Sequence, residues 1–342
     1  MDRRVLVVDD SAFMRKIFTH MIEEMNGFTV VASARDGIQA LEKVAQGNID
    51  LITLDVEMPR MNGLETLKQL KESQMIPTIM LSSKSNEDIT IEALEAGALD
   101  FIEKPQHIRK NWEGFKDELA ERMHSIFEQE KVKSVPKQFD QRIKDLTAVK
   151  GRMNLVQLDA IAIGASTGGP KALITVIKGL PASLAVPVFI VQHMPEGFTA
   201  SFATRLDAAA KVPVVEATQA ELIEKGKVYL APGGKHMEIE NGRISLTDEE
   251  KILGVRPAVN PLFQSAAQTY KKGLLGIVLT GMGQDGAEGT LSIHQNGGTV
   301  FSQDQASCVI YGMPKNAVEK GWVDETISLQ ELPILLNDLL GG

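Results

Sequence analysis

The sequence predicts an α/β protein built of two units: an N-terminal (βα)5 unit, then a linker and a doubly wound, mainly parallel α/β unit. Three observations predict it. From residue 4 to about residue 127, short runs of Val, Ile and Leu alternate with amphipathic helical stretches, the pattern of strands buried on both faces under helices. A polar, mixed-charge stretch then interrupts the alternation, and it resumes near Leu158 with apolar runs that break into glycine-rich turns. At 342 residues the chain is long for a single core, which makes two domains the expectation.

Composition narrows the class of function. A formal charge of −9 argues against a nucleic-acid surface or an anionic membrane surface, since both need clustered Lys and Arg. Cys308 is the single cysteine, so an internal disulfide and the paired-cysteine zinc patterns are excluded. The first residues run straight into a short strand, without the apolar core of a signal peptide, and no later run has the length of a membrane span. A soluble, cytoplasmic protein that is not membrane-embedded is expected.

In the first unit the strands are expected at residues 5–8, 29–34, 51–54, 78–81 and 101–102. Open parallel sheets bind ligands at the carboxyl ends of their strands. The residues there are Asp9 and Asp10, Asp55, Ser82, and Lys104 with Pro105. Three carboxylates brought to one edge repel one another, and a hard divalent cation such as magnesium relieves that repulsion through oxygen ligands. For a single aspartate the competing reading is a cap on the helix that follows. For the whole set at strand ends that reading loses its force.

Val7-Val8-Asp9-Asp10-Ser11, Leu54-Asp55-Val56-Glu57-Met58-Pro59 with Gly63 beyond, Leu81-Ser82-Ser83 and Lys104-Pro105 resemble the signature set of response-regulator receiver domains, which have a flavodoxin-like fold. The resemblance covers the whole first half. It implies that Asp55 accepts phosphate from a histidine kinase, and that Asp9, Asp10 and the backbone carbonyl of Glu57 hold Mg2+ with it. It further implies that Ser82 and Lys104 sense the phosphoryl group and that Phe101 occupies the aromatic switch position. On its own, Phe101 reads as a core residue of its strand.

The domains are expected at residues 1–127 and 157–342, with residues 128–156 as linker and partial helical character near 139–146. A polar joint of this kind permits relative domain motion.

The second unit opens on Gly164-Ala165-Ser166-Thr167-Gly168-Gly169-Pro170, an apolar strand breaking into a turn and a helix over residues 170–180. Gly164-x-Ser166-x-Gly168 fits the nucleophile-elbow pattern, in which small residues hold a serine hydroxyl clear of the sheet. Pro170 suits a helix start, where its missing N–H has no partner to lose. A phosphate-binding P-loop would need lysine and then Ser or Thr directly after the second glycine, and a dinucleotide loop needs G-x-G-x-x-G. Neither is present. A glycine-rich turn with no chemistry stays open on the motif alone.

The next strand, expected at 186–191, ends in Gln192-His193-Met194-Pro195. A histidine at a strand's carboxyl end, beside a parallel strand ending in Ser166, stands where a general base belongs. Residues 212–246 read as several short strands, with Asn241-Gly242 as a hairpin turn. His236 lies among them as the rival base, ranked second because it enters an alternating segment as an ordinary strand residue does. A helix is expected near 261–272 and a strand at 274–279, the latter ending in Thr280-Gly281-Met282-Gly283-Gln284-Asp285-Gly286. Asp285 either orients the imidazole or caps the following helix.

The order Ser166, His193, Asp285 differs from that of α/β-hydrolases, where the acid precedes the histidine. The serine turn, Gln192-His193-Met194-Pro195 and Leu279-Thr280-Gly281-Met282-Gly283-x-Asp285-Gly286 resemble the catalytic domain of the chemotaxis protein-glutamate methylesterases. Arg256-Pro257 and residues 308–314 extend the likeness. The resemblance implies a serine hydrolase that acts on glutamyl methyl esters, and on glutamines, of the cytoplasmic domains of chemoreceptors. Backbone N–H groups at Thr167 and Met282 would hold the oxyanion, and no cofactor would serve the esterase. The receiver would cover the active site until Asp55 is phosphorylated. Three rivals remain: a DNA-binding output, opposed by 14 Lys and Arg against 19 Asp and Glu from Gln157 onward; an interaction module with an inactive hydrolase half; and a hydrolase of some other ester or amide.

Overall fold

A computed structural model describes residues 2–83, 86–105, 112–128 and 158–341. Internal contacts divide the chain into two compact units, Met1–Glu128 and Gln129–Gly342. The linker expected at 128–156, with its helical stretch at 139–146, lies outside the described residues except for Glu128.

The first unit alternates strand and helix throughout: β1 (Arg3–Val8), α1 (Ala12–Glu23), β2 (Phe28–Ala34), α2 (Gly37–Ala45), β3 (Leu51–Asp55), α3 (Gly63–Ser73), β4 (Thr78–Ser82), α4 (Glu87–Ala96), β5 (Asp100–Glu103) and α5 (Trp112–Glu128). Its sheet order is β2-β1-β3-β4-β5, with every neighbouring pair parallel. The order reverses between β1 and β3, and that switch point opens a crevice beyond the strand ends. Helix α1 is capped by Ser11, which accepts from the Met14 N–H; Asp9 and Asp10, weighed above as caps, leave that role to the serine. Asn62 and Glu65 close a capping box on α3.

The second unit contains β6 (Ala160–Ala165), α6 (Gly169–Gly179), β7 (Val188–Gln192), α7 (Phe198–Ala209), β8 (Val214–Glu216), β9 (Val228–Leu230), β10 (His236–Glu240), β11 (Arg243–Thr247), α8 (Val259–Tyr270), β12 (Leu274–Val278), α9 (Ala287–Gln295), β13 (Thr299–Gln303), α10 (Met313–Glu319), β14 (Glu325–Ile327) and α11 (Leu332–Leu339). Seven of the strands form one parallel sheet in the order β14-β13-β12-β6-β7-β9-β8. The chain leaves the centre in both directions from β6, which places the crevice at the carboxyl end of that strand. Strands β10 and β11 make a separate antiparallel hairpin whose turn, Asn241-Gly242, has positive φ at both residues (50° and 73°), as the sequence pair predicts.

Two boundaries differ from expectation for physical reasons. Strand β7 starts at Val188 and not at residue 186, since Pro187 has no N–H for the ladder and contributes only its carbonyl, to the Ile161 N–H at 3.1 Å. Helix α8 starts at Val259, two residues before the expected position. No local side chain caps it. Its first donors are satisfied by a residue distant in sequence, Asp285. Among the described residues no helix is long and apolar enough to cross a membrane.

Candidate functional site

Ser166 is the first residue beyond β6, and His193 the first beyond β7. Ala165 and Gln192 are register partners at the ends of these neighbouring strands, so parallel pairing carries the serine and the histidine to one edge side by side. The Ser166 N–H donates to the Thr280 carbonyl at 3.1 Å, and its carbonyl accepts from the Gly169 N–H at 2.7 Å and from Gln192 Nε2 at 3.0 Å. The backbone of the serine is thereby fixed. Its hydroxyl has no hydrogen-bond partner among the described residues and is half-buried.

Each glycine of the turn answers a different constraint. Gly168 has φ of +74°, a left-handed conformation that side chains disfavour, and a Cβ there would lie 2.5 Å from Val309 Cβ. At Gly169 the Cβ would stand 2.0 Å from Gln192 Oε1, and at Gly164 it would stand 2.5 Å from a methyl of Val259. The first of these shapes the turn. The other two admit close neighbours.

His193 Nε2 lies 2.8 Å from Asp285 Oδ2. Asp285 is 2% exposed, and its carboxylate also accepts the N–H groups of Val259 at 2.5 Å, Asn260 at 3.1 Å and Gly286 at 2.8 Å. Burial alone would raise its pKa, but the histidine and these backbone donors outweigh burial and hold it below the usual carboxylate value. An ionised Asp285 fixes the proton of a neutral imidazole on Nε2. Nδ1 is then the basic nitrogen, the reverse of chymotrypsin-type triads.

Asp285 does not cap the helix that follows in the way the sequence suggests. Its oxygens satisfy the first donors of α8, while at the start of α9 Asn260 Oδ1 accepts the Gly289 N–H at 2.8 Å and shares the Gly286 N–H, at 3.1 Å, with Asp285.

Thr167 is buried beside the serine and its carbonyl accepts the Thr280 hydroxyl at 3.0 Å. That hydroxyl in turn accepts the N–H groups of Val309 and Ile310 at 3.1 and 2.9 Å. Met282 follows Gly281, where a Cβ would lie 2.8 Å from Ser166 Cβ, so the strand-end segment before Met282 packs directly on the serine turn. Thr280, Gln192 and Asn260 were not singled out by sequence reasoning. Thr280 and Gln192 fall within quoted motifs, whereas nothing local marks Asn260.

The rival histidine has a different role. His236 is 1% exposed, its Nδ1 accepts from the Ala258 N–H at 3.1 Å, and its Nε2 lies 3.1 Å from the Glu250 carbonyl. With both nitrogens engaged inside the fold, it offers no lone pair to a substrate.

In the first unit the expected acidic cluster is present. Asp9, Asp10 and Asp55 each offer a carboxylate oxygen, all within 4.8 Å of one another. Lys104 Nζ lies 2.8 Å from Asp9 and 2.7 Å from Asp55. Burial, with Asp9 and Asp10 alongside, pushes the Asp55 carboxyl up to about 6 in spite of the lysine. A hard cation fits this donor set, which is all oxygen and overcharged. The Ser82 hydroxyl is buried and lies 2.6 Å from that of Thr90. Phe101 is buried in β5, and Glu57 is exposed just after β3. Gly63 lets α3 approach β3, since a Cβ there would meet the Asp55 carbonyl at 2.2 Å.

Residues 161–336 match the CheB methylesterase family, and residues 5–112 match the response regulator receiver domain. A Clostridium acetobutylicum protein named protein-glutamate methylesterase/protein-glutamine glutaminase is 45% identical, with 96% of this chain and 95% of that protein covered. Proteins of the same name from Pyrococcus horikoshii and Salmonella typhi are 43% and 40% identical, again over 96% of this chain and over 91% and 94% of theirs. The solved Thermotoga maritima CheB methylesterase catalytic domain is similar to 54% of this chain and is covered in full, at 40% identity and a TM-score of 0.52.

Proposed function

The chain belongs to the CheB methylesterase family and is a receiver-controlled methylesterase and glutaminase of chemoreceptors, and we propose that Ser166, His193 and Asp285 form its catalytic triad. Ser166 Oγ attacks the side-chain ester carbonyl of a methylated glutamate while His193 takes its proton at Nδ1. His193 then returns that proton to the departing methanol, and the same nitrogen activates the water that releases glutamate from the acyl-enzyme. On a glutamine the departing group is ammonia. Asp285 stabilises the imidazolium at each stage. The N–H groups of Thr167 and Met282 serve the oxyanion, a role whose loss elsewhere removes roughly 3–4 kcal/mol of transition-state stabilisation. The dipole of α6 points its positive end to the same side.

The observation that carries this reading is the His193–Asp285 bond at the strand edge where the register delivers Ser166. A fixed ion-pairing partner for the histidine also speaks against an inactive hydrolase half. The reading is tested by methanol release from methylated receptor membranes by Ser166→Ala and His193→Ala. Both are expected to lose turnover while remaining folded. Retained release would overturn the triad, and release from a different ester alone would reassign the substrate.

The receiver is the input. Asp55 is proposed as the residue phosphorylated by the chemotaxis histidine kinase, with Asp9, Asp10, Asp55 and the Glu57 carbonyl as ligands of Mg2+. When bound, the metal neutralises the carboxylates and the arriving phosphoryl charge. Lys104 and Ser82 would meet the phosphoryl oxygens, and Phe101 would respond to the movement of Ser82. Residues 1–127 and 157–342 are the working domains, joined by the linker at 128–156, in a cytoplasmic protein. A closed state favoured by about 1.4 kcal/mol suppresses activity only tenfold, so tight control needs a larger difference.

A further inference from the structure

Resting on the triad reading above, we propose that His236 is a positioning residue for the His193–Asp285 pair. The argument is a chain of three hydrogen bonds through consecutive peptides. His236 Nδ1 accepts the Ala258 N–H at 3.1 Å, the next N–H, that of Val259, donates to Asp285 Oδ2 at 2.5 Å, and the same oxygen holds His193 Nε2 at 2.8 Å.

Its ring chemistry fits a fixed support. A ring that accepts at Nδ1 carries its proton on Nε2, where it donates to the Glu250 carbonyl, and one tautomer satisfies both bonds. Burial keeps water from competing for either. The support acts where local sequence supplies none, since Ala258 is the cap residue of α8 and makes no side-chain cap bond. The donors that hold the catalytic carboxylate therefore depend for their direction on the Ala258 peptide, and that peptide is held by His236. Without its acceptor, the Ala258 N–H is buried and unpaired, and the peptide turns to find another.

The test uses the full chain with a small phosphodonor and compares His236→Leu, His236→Asn and His236→Gln. An Asn amide oxygen falls near the place of Nδ1, whereas a Gln amide reaches toward that of Nε2. His236→Leu is expected to lower kcat by about 10- to 100-fold, as small misplacements of reacting groups do, and to leave KM near the wild-type value. His236→Asn should recover most of the loss, and His236→Gln should not. A second readout needs no substrate: the low-field proton resonance of the His193–Asp285 bond should shift or broaden in His236→Leu and return in His236→Asn. If the leucine variant does not fold, the contrast between Asn and Gln decides.

Equal kcat and an unmoved resonance across the variants would overturn the proposal. So would a kcat lost in all three variants with the resonance unchanged, which would place the effect of His236 outside the His193–Asp285 pair. Turnover that survives Ser166→Ala and His193→Ala would sink the triad reading, and the resonance would still judge the support independently.

Discussion

Asp285 and Asn260 cap each other's helices. Asp285, just ahead of α9, accepts the Val259 and Asn260 N–H groups that open α8, and Asn260, in the first turn of α8, accepts the Gly286 and Gly289 N–H groups that open α9. The carboxylate that orients His193 is thus locked between two helix starts. Its negative charge stands at a helix N-terminus, which favours the ionised form.

This reciprocity separates two substitutions. Asp285→Asn should reduce kcat by roughly 10^3- to 10^4-fold, as tautomer loss does in serine proteases. Asn260→Ala leaves the buried Gly289 N–H without its acceptor, while the Gly286 N–H keeps Asp285, and should lower stability by about 1–3 kcal/mol. Methanol release and denaturant unfolding on the same preparations check the pair.

Thr280 ties the serine turn to the 309–310 segment through one hydroxyl that accepts two N–H groups and reaches the carbonyls of Thr167 and Ile310. Thr280→Val keeps the shape and removes those bonds. It should destabilise the catalytic unit by about 2–3 kcal/mol and lower kcat, while Thr280→Ser restores both. Thermal unfolding alongside turnover of the three proteins measures it.

Gly168→Ala places a methyl on a left-handed residue against Val309. The serine turn must shift, and a kcat loss on the order of 100-fold is expected, together with a loss of about 1 kcal/mol or more of stability. Adding Val309→Ala should recover part of it by removing the contact, as steady-state kinetics of the single and double variants would show.

Asp55 gives a pH-dependent prediction. Its folded value, about 6, lies above the ordinary 3.8, so the native state holds the proton more tightly than the unfolded chain. The corresponding stability is full below the unfolded value and is lost as pH rises through about 6. At pH 7 without metal, Asp55→Asn should therefore stabilise the receiver by about 1–3 kcal/mol, with little gain at pH 4. Magnesium should narrow the difference by binding the wild-type carboxylates. Trp112 and Trp322 are the two tryptophans. Urea unfolding followed by Trp112 fluorescence in a Trp322→Phe background reads the receiver alone.

The parts of the protein legible in the sequence were those with local signals. Parallel strands announce themselves as apolar runs, and the residues at their ends, Asp55 as the last of β3 and Asp9, Ser166 and His193 just beyond theirs, follow from the rule that such sheets bind at their carboxyl edge. The paired positive-φ turn at Asn241-Gly242 was equally local. What could not be read was partnership across distance. Asp285 reads as a cap or as a partner of the histidine, and its carboxylate makes both kinds of bond: it accepts the first donors of α8, a helix other than the one it precedes, and holds His193. The two candidate histidines, His193 and His236, differ in the sequence only in that His236 sits in an alternating segment. His236 is removed from contention by the Ala258 N–H and the Glu250 carbonyl, 22 and 14 residues away in sequence. Helix α8 began early for the same reason, since its cap comes from Asp285.

The central claim is that phosphorylation at Asp55 controls a reaction carried by Ser166. Methanol release from methylated receptor membranes, with and without a small phosphodonor, tests it in the intact chain, Ser166→Ala and Asp55→Ala. Release that requires Ser166, and that rises with phosphodonor only when Asp55 is present, is the predicted result. Release that persists in Ser166→Ala, or that responds to phosphodonor equally in Asp55→Ala, would contradict it.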